Sequence, residues 1–119
     1  MAIAKTSGVF VKEGKTLDIT IAANGTAVKC GDIKVIDGCN CLALWDIAAG
    51  TSGSLHIMHK GEVVKITTDE AIGQTNAGTA IYVVPATGLV TKTDTNNVLL
   101  GYAAAAIAST DLSFEIVCV

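Results

Sequence analysis

The sequence predicts an all-β fold, a single small β-barrel or β-sandwich of about eight to ten short strands. Three observations point there. Apolar and polar residues alternate with period two in short runs such as Leu17-Asp18-Ile19-Thr20-Ile21 and Leu112-Ser113-Phe114-Glu115-Ile116, the pattern of half-buried strands. Turn-forming residues punctuate those runs at intervals of about ten residues. The chain has 119 residues, 50% of them apolar and 16% charged, which suits one packed domain and not a disordered tail. Residues 1–119 read as one domain, with no linker, low-complexity segment or internal repeat.

Taken in order, residues 1–8 read as an extended N-terminal arm, and Val9 to Val11 as either the continuation of that arm or a first strand. Leu17 to Ile21 reads as a strand, closed by the turn residues Ala23-Asn24-Gly25. Gly31-Asp32 opens a strand from Ile33 to Ile36, and Asp37-Gly38 ends it. Cys41 to Ile47 reads as strand until Ala49-Gly50-Thr51-Ser52-Gly53 breaks it. Leu55 to His59 alternates again, and Lys60-Gly61 predicts a tight hairpin into Glu62 to Thr67. Asp69 to Gln74 has room for one helical turn. Thr79 to Val84 and Leu89 to Thr93 flank Pro85-Ala86-Thr87-Gly88, a loop with Pro at its first position, and Asp94 to Asn97 is a polar turn. Leu99 to Tyr102 looks like strand. Tyr102 to Ser109 is Ala-rich, a helix by propensity alone, but so short an isolated helix is marginal; a strand of small side chains against a close backbone is expected. Leu112, Phe114, Ile116 and Cys118 alternate along a C-terminal strand.

Composition excludes several functions. All eight basic residues are lysines and the net charge is −3, so no nucleic-acid groove is expected: phosphate neutralisation needs a basic excess, and base readout favours arginine and aromatics. Aromatics are 4% of the chain. No apolar run reaches the ~18 residues of a membrane helix, and the start, Met1-Ala2-Ile3-Ala4-Lys5, lacks the basic-then-apolar order of a signal peptide. No membrane partner is therefore expected, and the protein is expected to be made and folded in the cytosol. In that reducing compartment Cys30, Cys39, Cys41 and Cys118 are expected as free, buried thiols.

Residues that carry chemistry are few. His56 and His59 lie three apart and on a strand would face opposite sides, pointing to solvent; with Cys39-x-Cys41 they match no zinc ribbon or finger. Lys60 lacks the flanking motif of a carrier lysine hairpin. No Gly-x-Ser-x-Gly, P-loop or Gly-x-Gly-x-x-Gly occurs, and no nucleophile has a base held beside it. No enzyme, cofactor or metal is expected.

The order and spacing of weaker signals say more. Gly14-Lys15-Thr16-Leu17-Asp18-Ile19 leads to Val28-Lys29-Cys30-Gly31-Asp32-Ile33-Lys34-Val35, then to Ala43-Leu44-Trp45-Asp46-Ile47-Ala48-Ala49-Gly50 and Gly61-Glu62-Val63-Val64-Lys65-Ile66. Ala77-Gly78-Thr79-Ala80-Ile81-Tyr82-Val83 passes through Gly88-Leu89-Val90-Thr91 to Asn97-Val98-Leu99-Leu100-Gly101-Tyr102-Ala103 and Leu112-Ser113-Phe114-Glu115-Ile116. Over nearly its whole length this layout resembles the small capsid decoration (cement) proteins of tailed bacteriophages. The chain departs from that pattern at Leu44-Trp45 and in its four cysteines. The resemblance implies a non-enzymatic virion protein that binds the outer capsid surface and stabilises the expanded head. Its partner would be the major capsid protein of the head, and it would act as a homo-oligomer, with a trimer the leading guess. Capsid-contact candidates are Ile3, Val9 and Phe10, which could add a strand to an exposed capsid edge, and Trp45, either an interface anchor or a core packing residue. A fibre component and a small-ligand β-barrel are the alternatives.

Overall fold

The computed structural model describes residues 16–36 and 38–119. They form nine strands: β1 (Thr16–Thr20), β2 (Ile33–Ile36), β3 (Cys39–Leu42), β4 (Ser52–Ile57), β5 (Val63–Thr67), β6 (Ala80–Val83), β7 (Val90–Thr91), β8 (Val98–Ala103) and β9 (Ser113–Cys118). These make two open antiparallel sheets, ordered β1-β4-β3-β2 and β5-β9-β8-β6-β7. The fold is all-β, and a closed barrel is ruled out. Among the described residues there is no helix, and Asp69 to Gln74 is irregular chain instead of a helical turn.

The two sheets are copies of one plan, contrary to the expectation of no internal repeat. Substituting β5, β6, β8 and β9 for β1, β2, β3 and β4 turns the first strand order into the second, with β7 inserted. The correspondence extends to single hydrogen bonds. Val28 and Ile47 exchange backbone bonds of 2.8 and 2.9 Å, as Thr75 and Ile107 do at 2.8 and 3.0 Å. Gly31 N–H donates to Ala43 O at 2.7 Å, and Gly78 N–H to Ala103 O at 2.8 Å. Both glycines have φ in the left-handed region, +95° and +83°, which a side chain rarely adopts. The Thr20–Ser52 hydroxyl pair (2.8 Å) recurs as Thr67–Ser113 (3.3 Å).

The repeat explains where the strand predictions fail. Cys41 to Ile47 is not one strand: β3 ends at Leu42, and the following loop returns to the sheet only through the Val28–Ile47 bridge. Likewise Tyr102 to Ser109 is strand only to Ala103 before looping to the Thr75–Ile107 bridge. β4 starts at Ser52, because Gly53 pairs with Ile19 inside the sheet instead of breaking the strand. Lys60-Gly61 does not close a hairpin. β4 and β5 belong to different sheets, and the turn (Glu62 N–H to His59 O, 3.1 Å) links the two repeats.

Each repeat carries apolar side chains on the equivalent face of its sheet, termed the inner face. In the first repeat Val28, Cys41, Ala43, Ile47 and Leu55 are buried there, flanked by Leu17, Ile19 and Ile57. In the second, Ile66, Ile81, Val83, Ala103, Ile107, Ile116 and Cys118 form the larger cluster. The repeats meet asymmetrically. Ile33, Val35, Leu42 and Met58, which alternate onto the opposite, outer face of the first sheet, pack into the cluster of the second. Asn40 Nδ2 reinforces the junction by donating to Leu99 O at 3.0 Å.

Candidate capsid-contact surface

The loop after β3 holds the most exposed aromatic side chain among the described residues. Trp45 is 70% exposed and Leu44 beside it is also solvent-facing, so Trp45 is not a core packing residue. The corresponding loop of the second repeat, of equal length between its Ala and Ile anchors, carries Ala104-Ala105-Ala106 instead. That comparison separates what the loop needs to fold from what has been added to it. The anchors Ala43/Ala103 and Ile47/Ile107 are buried in both repeats and fix the path of the backbone. Leu44 and Trp45 are not required for that path.

The first loop is also braced as its counterpart is not. Asp46 Oδ1 accepts the Cys30 backbone N–H at 2.7 Å, and the Cys30 thiol donates to Leu44 O at 3.3 Å. The positions matching Cys30 and Asp46 are Ala77 and Ala106, which have no side chain able to do this. Asp32 adds a further tie, accepting the Lys29 N–H at 3.0 Å. A large apolar anchor on a pre-ordered loop loses less entropy on binding than one on a loose loop.

The other predicted contacts, Ile3, Val9 and Phe10, and the arm of residues 1–8, lie outside the described residues. The thiols divide: Cys41 and Cys118 are buried, whereas Cys30 and Cys39 are exposed, against the expectation that all four are buried. Burial raises the pKa of the Cys41 and Cys118 thiols, with neighbouring Cys39 and Glu62 adding to the respective effects.

The histidines are half-buried instead of solvent-facing, because the chain turns directly after β4. Their rings sit edge to face with centroids 6.1 Å apart. Between them Glu62 lies 3.0 and 3.1 Å from His56 Nε2 and accepts the His59 backbone N–H. That backbone hydrogen bond, with help from the His56 side chain, holds the Glu62 carboxyl below its ordinary pKa. The cluster clasps the linker between the repeats. Among the described residues no group of three or more His, Cys, Asp or Glu side chains is placed to hold a metal ion, and no helix is long and apolar enough to cross a membrane.

No curated protein and no solved structure gives a significant match to the chain. A family model described as phage cement protein matches residues 11–118, nearly the full length, and encompasses both repeats and the braced loop. The chain belongs to the phage cement proteins, structural components of the phage capsid.

Proposed function

We propose that this protein, acting as one unit and without enzymatic activity, docks on the outer surface of the assembled head, cements the expanded shell, and contacts the major capsid protein through the Leu44-Trp45 loop. The observation that carries the loop assignment is the pairing of an exposed, braced Trp45 with a plain alanine loop at the equivalent place in the second repeat. Tryptophan is enriched among interface hot spots. The arm with Ile3, Val9 and Phe10 adds a strand to a capsid edge in the same complex. Binding as a homo-oligomer, a trimer, multiplies a modest contact into avidity across neighbouring capsomers. The protein is made in the host cytoplasm and has no use for nucleic acid or membrane. Two open sheets do not support the alternative of a ligand-holding barrel.

Co-sedimentation with mature, expanded heads and with unexpanded precursor heads tests docking. Saturable pelleting with the expanded heads alone is expected, and pelleting with neither form overturns the cement role. Trp45→Ala should weaken head binding by about 30-fold or more, the mark of a hot spot worth ≥2 kcal/mol, while leaving the unfolding midpoint unchanged. Wild-type affinity in that variant removes the loop from the interface.

A further inference from the structure

The junction between the repeats identifies a second contact surface. Within the chain, the outer face of the first sheet (Ile33, Val35, Leu42, Met58) covers the inner face of the second. Strand pairing fixes the matching outer-face positions of the second sheet. Ile33 pairs with Leu42, and Leu42 with His56. Ala80 correspondingly pairs with Tyr102, and Tyr102 with Val117, which lies opposite Val63. The second-repeat positions equivalent to the covering set are thus Ala80, Tyr82, Tyr102 and Val119. Ala80 and Tyr82 are half-buried, whereas Tyr102 is 41% and Val119 43% exposed, and Val63 on the same face is 58% exposed.

The opposite end of the molecule is unmatched in the complementary sense. Ile19, Ile36 and Ile57 on the inner face of the first sheet are only half-buried. Their counterparts under the cover of the first repeat, Ile66, Val83 and Cys118, are buried. Among the described residues, one chain therefore presents an outer face with no partner at one end and an inner face without its cover at the other. These are the two halves of the contact that already joins its own repeats.

We propose that the outer face of the second sheet (Val63, Tyr102, Val119) binds the inner face of the first sheet (Leu17, Ile19, Ile57) of a second copy of this chain, repeating between molecules the packing seen between repeats. The contact is heterologous, head to tail, and yields a ring when its rotation closes. It deepens the homo-oligomer part of the function proposed above and rests on that part alone, since it requires no capsid.

The test uses the purified full-length chain, its mass in solution measured by light scattering and sedimentation. The wild type is expected at a multiple of the monomer mass; an indefinite, concentration-dependent growth in mass supports the same contact in its unclosed form. Val63→Glu with Tyr102→Glu should reduce the mass to that of the monomer with an unchanged circular dichroism spectrum, whereas Leu89→Glu, on a different exposed residue, should leave the wild-type mass. Should the double variant misfold, Val119→Glu, beyond the end of β9, carries the same expectation. Hydrogen exchange identifies the occupant: amides of β1 and β4 are expected to be protected in the wild-type oligomer and to lose that protection in the monomeric variant. A monomeric wild type, a folded variant of wild-type mass, or protection confined to the outer face of the second sheet overturns the proposal. An oligomer that forms but fails to pellet with heads overturns the docking role and leaves this contact supported.

Discussion

Gly101 shows how closely the two repeats match and where they part. Its counterpart, Cys41, carries a fully buried side chain. A Cβ on Gly101, however, would stand 2.3 Å from Val117 O and 3.0 Å from the carbonyl carbon behind it. Gly101 also borders the bulge in the β6–β8 pairing at Ile81/Tyr82, whereas the β8–β9 register runs without a shift. Bulges bend a strand and strengthen its local twist. The obstructing atoms are backbone, so relief requires β8 and β9 to separate. Gly101→Ala should therefore lower stability by about 1–3 kcal/mol, in the range of overpacked cores, read as a reduced denaturant midpoint. An unchanged midpoint would show that the two strands separate without cost.

At the scale of elements, the linker between repeats is held by chemistry that titrates. Glu62 accepts the His59 N–H and faces His56, while its backbone C=O accepts the Cys118 N–H at 2.8 Å and Gly61 N–H donates to Cys118 O at 2.9 Å. The turn is thus tied to both β4 and β9. Because the His59 backbone hydrogen bond holds the folded-state pKa of Glu62 below its ordinary value of 4.5, its contribution to stability is fully present above pH 4.5 and is lost as pH falls through the depressed folded value. Glu62→Gln should flatten the acid limb of the stability–pH curve and change the curve little in shape above pH 6. An acid limb of unaltered slope would remove Glu62 from the linkage. The period-two signal made β1 and β9 legible from sequence, since apolar side chains alternate with more exposed polar ones along both, whereas β2, β6 and β7 were legible from the turn residues that bound them. The loops after β3 and β8 were not legible, because Ile47 and Ile107 are buried by a single bridge and look like strand interior. The repeat was hidden for a related reason. Its equivalent positions share a backbone task, as Gly31 and Gly78 do, more often than they share a residue, and the β7 insertion disturbs the spacing. Trp45 stood out as the only tryptophan. The Val63, Tyr102 and Val119 face emerges only once strand order shows which side chains lie together.

For the whole molecule, the asymmetric junction decides how the two repeats share stability. The first repeat has its own small cluster around Leu55 and Cys41, while the second depends on Ile33, Leu42 and Met58 from the first to complete its own. Damage should therefore spread unequally. Leu55→Ala and Met58→Ala each remove a buried side chain, and each should cost about 2–5 kcal/mol. Leu55 lies within the first cluster, so its truncation should raise hydrogen exchange in β1, β3 and β4 before it reaches the second sheet. Met58 spans the junction, so its truncation should raise exchange in β8 and β9 together with β4, although the residue itself follows β4 in the first repeat. Local openings of this kind are what native-state exchange resolves beneath the global transition. Equal exchange patterns in the two variants would mean that the repeats open only as a single unit. The predicted difference would mean that the second repeat is stable only while the first is seated on it. The same dependence makes the outer-face cover supplied by Ile33, Leu42 and Met58 a structural need of the second repeat.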